Sequence, residues 1–583
     1  MSMYGAEVVA EYLAREEVPH VVGLPGHAIS GVLDAIGKRG LSIIQAKSEE
    51  GACHLADGYF RASGRPLIVF TTAGAGATNT VLGVATAYVD SSSFILLTGE
   101  VSTYFYGYGT FQSVERGGLG DFNSIIRPVV KGSFQIANAE QIADTMHRAF
   151  KLALSGRPGP VHISIPMDVA LSEVETEIPE PVRRRPVGRI RGDSEVLKRV
   201  AQLLVNASRP AILAGGGVAH SAASAELVEL AEYLGIPVLT TELGLGKGVI
   251  PEDHPLCAYY PGVPGSSVGN AIASRADVIL AVGCRFTEFV ASSYKRGVTF
   301  NIPPTKLIQI DIDPAEIGKN YPVEVGVVAD AKTALRDILE YVQTLTQRRD
   351  YRSSEYFREL ARLRDEWFRD VQKITSEPSL TIATLVKELR GVLDRSAIVV
   401  TSTSYSISVV SQLFPVYLPR SHIASGGFGP MGFALPAALG AKLAHRDRQV
   451  VAVDGDGSFL FRVGELATAV QYDIPVITVV CNNAGFISVK DSQIYMFDRS
   501  FAADFTTPDG RLYSPDYAKI AEAFKCHGET VKKREDVSDA VKRCLESGKP
   551  AVIDAIVARE FPKTGTKHYG FWHGVSKEAR RPR

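Results

Sequence analysis

Residues 447–483 read DRQVVAVDGDGSFLFRVGELATAVQYDIPVITVVCNN. Two short apolar runs rich in β-branched residues, 449–453 and 475–480, flank a segment in which apolar side chains recur at a helical period. Those side chains are Phe461, Val463, Leu466, Ala469 and Val470. The stretch therefore predicts a strand, a tight glycine turn, a helix and a second strand, which together form one βαβ crossover.

A Gly-Asp-Gly turn directly follows the first of these strands. It places Asp456 between Gly455 and Gly457, where backbone N–H groups and a helix N-terminus can receive an anion. Asn483 ends the second strand, 27 positions later, and would reach the same rim of a parallel sheet. Few protein oxygens plus several phosphate oxygens are the usual ligands of Mg²⁺, so the pair predicts such a site. The turn by itself would more often be an ordinary glycine turn.

The whole combination is more specific than the turn. Gly-Asp-Gly-Ser-Phe, a helix with Glu465-Leu466 and the pair Asn482-Asn483 resemble the diphosphate-anchoring motif of thiamine-diphosphate enzymes. The resemblance implies thiamine diphosphate and Mg²⁺ as cofactors. It implies as Mg²⁺ ligands the side chains of Asp456 and Asn483 and the carbonyl of Gly485. It implies cofactor contacts from Gly455, Gly457, Ser458, Asn483, Gly485 and Ile487.

Length and composition describe an ordinary α/β protein. The 583 residues allow about three domains, and 45% hydrophobic with 22% charged residues is typical of globular chains. A formal net charge of −1 gives no general attraction to nucleic acid or membrane, and neither is expected as a partner. The six scattered cysteines form no Cys-x-x-Cys pair, which argues against a zinc site. No signal segment or long apolar run is apparent, which predicts a cytoplasmic protein.

Alternating strand and helix patterns divide the chain into three units. Each alternation predicts a parallel sheet covered by helices, so the expected fold class is α/β with three doubly wound parallel-sheet domains. By the resemblance, the domains are pyrimidine-binding (1–178), a middle FAD- or ADP-type domain (190–345) and diphosphate- and Mg²⁺-binding (375–557), followed by a tail (558–583). Comparable length and strand order of the first and third units hint at an internal repeat. Strands are predicted near 19–23, 41–45, 67–71, 94–98, 160–165, 210–214, 236–239, 277–282 and 306–312.

Three strand ends of the first unit carry polar or glycine-rich segments. Glu49 and Glu50 begin a helix, a position where acidic side chains often only stabilise the helix N-terminus. With Gly23-Leu24-Pro25-Gly26-His27 and Thr72 to Asn79, they resemble the pyrimidine-binding domain of the acetohydroxyacid synthase branch. The resemblance implies that Glu49 activates the cofactor by bonding its pyrimidine ring, that Gly26 and Asn79 bind the cofactor, and that Glu50 replaces the common Gln.

His27 stands where that branch commonly has glycine. It is either a surface turn residue or an active-site group that moves protons at neutral pH. Residues 107–116 resemble a loop that reaches toward the substrate, which implies Phe111 and Gln112 as pocket residues. The stretch Arg127 to Lys131 resembles another substrate-side segment, with a solvated basic pair as the alternative.

The middle unit and the segment before it resemble the family's nucleotide site. Glycines after a strand allow close backbone approach to phosphate, and an acid at a strand end can bind ribose hydroxyls. The resemblance implies contacts from Arg157, Gly216, Arg285 and Asp311 to a structural FAD or ADP. A simple tight turn is the alternative for the triple glycine at 215–217.

The third unit combines further family features with two departures. Gly429 and Met431 lie in a segment that resembles the family's cofactor-bending region. Thr401 to Tyr405 replace the usual Asp-Val-Gly-Gln-His, so Thr403 and its neighbours would offer hydroxyls to the diphosphate. Ser492, followed by the candidate catalytic Gln493, stands in place of the branch's bulky tryptophan, which opens the acceptor pocket.

These observations predict a thiamine-diphosphate-dependent carbon–carbon lyase or ligase similar to acetolactate synthase. It would decarboxylate a 2-oxo acid such as pyruvate and ligate the product to a carbonyl acceptor. The candidate catalytic residues are Glu49, His27, Gln112 and Gln493. The alternative is a 2-hydroxyacyl-CoA lyase or an enzyme similar to oxalyl-CoA decarboxylase, with the basic tail as a lid. The resemblance implies a homodimer or homotetramer with active sites between subunits.

Overall fold

The computed structural model describes residues 2–114 and 121–559, which form three α/β units on separate parallel sheets. This arrangement confirms the predicted fold class. A small antiparallel sheet, which the sequence does not predict, pairs residues 2–4 with residues 173–175. It fastens the beginning of the chain to the end of the predicted first domain (1–178).

The first unit is a six-stranded sheet with helices on both faces. Its strands, with the two of the small sheet, are β1 (Ser2–Tyr4), β2 (His20–Gly23), β3 (Ser42–Gln45), β4 (Ile68–Thr71), β5 (Ile95–Glu100), β6 (Gly132–Gln135), β7 (Val161–Pro166) and β8 (Glu173–Glu175). Its helices are α1 (Gly5–Arg15), α2 (Ser30–Lys38), α3 (Glu49–Ser63), α4 (Ala75–Thr78), α5 (Val81–Val89), α6 (Asp121–Ile126), α7 (Ile142–Leu154) and α8 (Met167–Ala170).

The middle unit has five parallel strands. They are β9 (Pro210–Ala214), β10 (Val238–Thr240), β11 (Val278–Val282), β12 (Lys306–Asp311) and β13 (Val325–Val328). The helices are α9 (Ser194–Asn206), α10 (Gly216–His220), α11 (Ser224–Leu234), α12 (Ser267–Arg275), α13 (Ala331–Leu345) and the connecting α14 (Glu355–Thr375).

The third unit is again six-stranded. Its strands are β14 (Ile398–Thr401), β15 (His422–Ala424), β16 (Val450–Gly455), β17 (Ile477–Asn482), β18 (His527–Val531) and β19 (Ala551–Ile556). Its helices are α15 (Ile382–Val392), α16 (Tyr405–Leu413), α17 (Ala434–Ala444), α18 (Asp456–Leu460), α19 (Glu465–Gln471), α20 (Ile487–Phe497), α21 (Tyr517–Ala523) and α22 (Val537–Ser547).

The first and third sheets have the same strand order. The first runs β3-β2-β4-β5-β7-β6 and the third runs β15-β14-β16-β17-β19-β18. Counted from the first strand of each sheet, both orders are 2-1-3-4-6-5, whereas the middle sheet runs 2-1-3-4-5. The predicted internal repeat is therefore present as a repeated topology.

Both faces of the outer sheets are covered by apolar side chains. Val21 and Val22, adjacent on β2, belong to different buried clusters, and Val399 and Val400 on β14 do the same. Since successive strand residues point to opposite faces, each sheet is buried on both sides. Among the described helices, none combines the length and apolar character needed to cross a membrane.

The predicted strands are present with ends within about two residues of the expected positions. The strand predictions omit β6 and β13, which lie at the edges of their sheets and are only partly buried. They also omit β14, β15, β18 and β19 of the third unit. The single helix expected after the Gly-Asp-Gly turn is also wrong. The chain instead forms α18 and α19, separated by a turn over residues 461–464.

Close helix packing joins the first and third units within one chain. A Cβ on Gly58 of α3 would overlap the backbone of Ala437 on α17, and one on Gly440 would overlap the carbonyl of Leu55. Glycine is needed at both positions because the two backbones touch there. The start of α3 is thereby carried to the edge of the third unit.

Candidate active site

The loops after β2, β3 and β4 share one rim, because β2 pairs in parallel with both neighbours. Glu49 is the first residue of α3, and the hydroxyl of Ser48 caps this helix by accepting the Gly51 N–H at 3.0 Å. The Glu49 carboxylate accepts a 2.6 Å hydrogen bond from Nδ2 of Asn79. Two residues that lie 30 positions apart are thus brought into contact at this rim.

Gly26, His27 and Gln112 lie at the same rim. A side chain on Gly26 would overlap Thr72, and one on Gly74 would overlap the backbone of Gln112. Both loops therefore pack on the turn after β4. His27 is exposed and begins a short 3₁₀ turn. Gln112 is half-buried with a φ of 61°, a left-handed conformation that is uncommon outside glycine.

Asp456 begins α18 at the carboxyl end of β16. Its buried carboxylate accepts backbone N–H groups of Gly457, Asn483 and Gly485, at 2.8, 3.1 and 3.3 Å. Burial raises the pKa of the Asp456 carboxyl, and these hydrogen bonds oppose the rise. The turn after β17 is therefore folded onto Asp456, which gathers the three candidate metal ligands in one place.

The adjacent residues Asn482 and Asn483 are used differently. The buried side chain of Asn482 donates to Asp554 at 2.9 Å and accepts from the Ser514 hydroxyl at 2.8 Å. The half-buried side chain of Asn483 makes no hydrogen bond within the part of the chain that the structure describes. Of these two asparagines, Asn483 is thus the one whose amide oxygen is left to bind a cation beside Asp456.

Hydroxyl groups line the end of β14. The Ser458 hydroxyl donates to that of Ser402 at 2.9 Å, and the hydroxyls of Thr403 and Ser425 are 3.0 Å apart. Gly429 has a φ of 66°, and a Cβ there would lie 3.1 Å from Oγ1 of Thr403. Thr403 and Gly429 are therefore neighbours, although 26 positions separate them.

Two helix starts face each other across this region. Ser404 caps α16, and a Cβ on Gly455, which precedes α18, would lie 3.1 Å from Cβ of Ser404. Met431 is half-buried beside Gly432, whose N–H donates to the Ser458 hydroxyl at 2.8 Å. The nine-residue helix α16 and these hydroxyls form a cradle that suits a phosphate group.

The two segments that depart from the family pattern, Thr401 to Tyr405 and the one around Ser492, are in contact. The hydroxyl of the buried Tyr405 donates to Asp491 on α20 at 2.8 Å. Burial raises the pKa of Asp491. Ser492 follows on the same helix and is half-buried, while the side chain of Gln493 accepts the backbone N–H of Phe501 at 2.9 Å. The Gln493 side chain is thereby tied to the loop that follows α20.

A cavity of about 760 Å³ lies where the three units meet. Its lining includes all four predicted nucleotide contacts, Arg157, Gly216, Arg285 and Asp311. Arg157 donates to Glu316 at 3.0 Å, and burial raises the pKa of the Asp311 carboxyl. The structure thus brings together residues from segments 154 positions apart.

A second cavity, of about 500 Å³, separates the middle and third units. Thr403, Tyr405 and Gly429 line one side of it. It shares with the larger cavity the lining residues Leu243, Arg285, Thr287, Glu316 and Gly427. The two cavities are therefore adjacent and connect the nucleotide contacts to the third unit's cofactor residues.

The substrate-side role expected for Lys131 is wrong. Its ammonium donates to the carbonyls of Leu152, Ser155 and Arg157, at 2.5, 2.7 and 2.8 Å. Burial lowers the pKa of Lys131 to about 8. The side chain closes the C-terminal end of α7 and leaves no donor for a substrate.

The remaining predicted site residues are Ile487, the end of the substrate loop and the C-terminal lid. Ile487 begins α20, and its buried side chain belongs to the core of the third unit. Residues 115 and 116 of the predicted substrate loop, and the predicted lid from residue 560 onward, lie outside the described residues.

The sequence motifs do not identify Arg462 and Glu465 as neighbours of Glu49. Glu465 binds the backbone of Lys47 and Ser48, and Arg462 pairs with Glu50. Each contact spans more than 400 positions. Charge complementarity between the two segments is the only sequence signal, and by itself it selects no pair.

Comparison with known families assigns all three units. The models "Thiamine pyrophosphate enzyme, N-terminal TPP binding domain", "central domain" and "C-terminal TPP binding domain" match residues 3–119, 197–338 and 403–555. Together with the fold, these matches define the class. The chain belongs to the thiamine pyrophosphate enzyme family.

Within that family the chain is acetolactate synthase-like. It is 36% identical, over 95% of its length and 92% of the relative's, to a probable acetolactate synthase large subunit of Methanocaldococcus jannaschii. The corresponding protein of Methanococcus aeolicus is 35% identical over 95% and 92%. Acetolactate synthase isozyme 3 large subunit of Escherichia coli is 33% identical over 93% and 92%. These relatives support the predicted carboligase class and not the acyl-CoA lyase alternative.

Proposed function

We propose that the protein is a Mg²⁺-dependent carboligase that decarboxylates a 2-oxo acid such as pyruvate and transfers the remaining unit to a carbonyl acceptor. The observation that carries this proposal is the folding of Asn483 and Gly485 onto the buried carboxylate of Asp456. The names of the relatives support the substrate class. The hydrogen bond between Glu49 and Asn79 supports the catalytic role of Glu49.

The residues present fit the family's cofactor. Bound thiamine diphosphate supplies a carbon that can hold the electron pair released when a 2-oxo acid loses CO₂. Asp456, Asn483 and the Gly485 carbonyl would hold Mg²⁺, and the start of α16 with Thr403 would bind phosphate. Glu49 would hold a proton at the pyrimidine ring, with Asn79 fixing the orientation of its carboxylate.

FAD is the proposed occupant of the middle unit. An ADP group suits the larger cavity, where glycines and Arg157 can approach phosphate. The adjacent 500 Å³ cavity supports the longer ligand, because it continues from Arg285 to Gly429 and provides room for a flavin ring. A flavin there would be structural, since the proposed reaction involves no net oxidation.

We also propose that active sites are completed between subunits of a homodimer or homotetramer. Two apolar surfaces support this. Beside the Glu49 rim, Tyr108 and Phe111 are 81% and 83% exposed. In the third unit Phe497 and Phe501, near Gln493, are 51% and 71% exposed. Exposed aromatic surfaces of this kind commonly mark protein–protein contacts.

The test supplies the purified protein with thiamine diphosphate and Mg²⁺ and compares two reactions. CO₂ release from pyruvate with formation of an acyloin product is expected. The Glu49→Ala variant should lose this turnover while it keeps its fold by circular dichroism. Formyl-CoA release from 2-hydroxyacyl-CoA thioesters, without pyruvate turnover, would contradict the proposal.

A further inference from the structure

The third unit forms hydrogen bonds with the two residues that precede Glu49 at the start of α3. The buried carboxylate of Glu465 accepts the backbone N–H groups of Lys47 and Ser48, at 3.1 and 3.0 Å. It also accepts the Ser48 hydroxyl at 3.1 Å and the hydroxyl of Thr468 at 2.7 Å. Charge-assisted hydrogen bonds of this kind are about twice as strong as neutral ones, so the segment before Glu49 is firmly held.

A second contact, an ion pair, joins the third unit to α3 at the residue after Glu49. Arg462 forms an ion pair with Glu50, whose other oxygen lies 3.3 Å from Nε2 of His54. The Glu50 and Arg462 side chains are only 10% and 17% exposed, and His54 is fully buried. An ion pair with so little solvent is more sensitive to loss of one partner than a surface pair.

The side chain of Glu49 points away from both contacts. One of its oxygens accepts from Asn79, and the other lies 3.2 Å from the position of a Cβ on Gly76. Its backbone is therefore fixed from the third unit, while its carboxylate is presented to the first unit's rim. Arg462 also packs on Gly432, beside Met431, where a Cβ would lie 2.9 Å from Cγ of Arg462.

We infer that Arg462 and Glu465 are positioning residues that aim the Glu49 carboxylate through the start of α3. The inference rests on the proposed role of Glu49 as the group that activates the cofactor. It explains why a glutamate stands at position 50, where the resembled branch commonly has Gln. In this chain an arginine from the turn between α18 and α19 supplies the matching charge.

The first experiment needs no cofactor. Amide hydrogen–deuterium exchange of residues 46–53 is compared by mass spectrometry in the wild type, Arg462→Met and the control Arg534→Met. Arg534, in the same unit as Arg462, forms an ion pair with Glu388 on α15, and its side chain is 22% exposed against 17% for Arg462. Arg462→Met should exchange these amides about tenfold faster, because local opening becomes easier, and the control should not.

The second experiment measures deuterium exchange at C2 of bound thiamine diphosphate. A rate about tenfold below wild type is expected for Arg462→Met, without a comparable loss of cofactor affinity. The double variant Glu50→Gln/Arg462→Met should recover most of the rate, because no unpaired charge remains buried. Arg462→Lys, which keeps the charge, serves if the methionine variant does not fold and should be intermediate.

The outcomes separate this inference from the proposed function. If the wild type does not accelerate C2 exchange over free cofactor, the proposed function fails. If the wild type does so, but Arg462→Met resembles Arg534→Met in both measurements, the positioning role is wrong. Failure of the double variant to recover would likewise overturn the pairing of Glu50 with Arg462.

Discussion

Alanine substitution of the neighbouring Asn482 and Asn483 should have different effects: the first should lower stability and the second should weaken metal binding. Asn482→Ala removes a hydrogen bond from the buried Asp554 carboxylate and another from Ser514. Loss of a partner costs about 1–3 kcal/mol at the buried Asp554 and about 0.5–1.5 kcal/mol at the half-buried Ser514, so the free energy of unfolding should fall by about 1.5–4.5 kcal/mol. Asn483→Ala removes no protein hydrogen bond in the described chain, so its stability should stay within about 0.5 kcal/mol of wild type.

Metal binding should show the reverse order. Loss of one oxygen ligand is expected to weaken Mg²⁺-dependent binding of thiamine diphosphate about 10- to 100-fold in Asn483→Ala. The assays are urea denaturation of the cofactor-free protein and titration of the cofactor at fixed Mg²⁺. Wild-type metal dependence in Asn483→Ala, or its loss in a stable Asn482→Ala protein, would refute the division of roles between the two residues.

Two further substitutions test packing and a buried charge. Gly440→Ala should lower the free energy of unfolding by about 1–3 kcal/mol, because its methyl group would overlap the Leu55 carbonyl. The control is Gly391→Ala in α15, where nothing lies within 4 Å of the Cβ position, and this variant should raise the free energy of unfolding by about 0.5–1 kcal/mol. Equal effects of the two substitutions in urea denaturation would contradict the close packing of α3 on α17. Burial raises the pKa of Glu242 from 4.5 to about 8. Between these pH values the folded state keeps a proton that the unfolded state releases, so the free energy of unfolding of the wild type should fall as the pH rises from 4.5 to 8. Glu242→Gln removes this dependence, so its stability relative to wild type should rise with pH by up to about 1.4 kcal/mol per unit, and parallel stability curves of the two proteins would contradict the assignment.

Much of the fold follows from local pattern in the sequence. Short β-branched runs between helical segments mark the central strands of the first two sheets and β16 and β17 of the third, because a parallel strand buried on both faces is apolar throughout. The same logic fails for β6 and β13, where an edge position leaves side chains half-exposed and the run loses its signal. The break at residues 461–464 is also invisible locally, since apolar residues continue through it at a helical period.

The candidate site divides in a similar way. Asp456 and Asn483 are found from spacing, because a βαβ unit fixes where two consecutive strands end. The contacts of Arg462 with Glu50 and of Glu465 with Lys47 depend on how two distant units dock, which no local pattern encodes. Lys131 shows a different error. The sequence pattern predicts that it faces the substrate, but its ammonium donates to three carbonyls at and after the end of α7.

The shared strand order of the first and third sheets gives the chain the character of a fused pair. If two chains assemble as proposed, the resulting dimer contains four copies of one architecture. Each catalytic centre then joins two unlike copies, one that presents Glu49 and one that holds Asp456. A symmetric ancestor made of identical copies would have had to encode both roles in one sequence, whereas fusion lets each copy change independently.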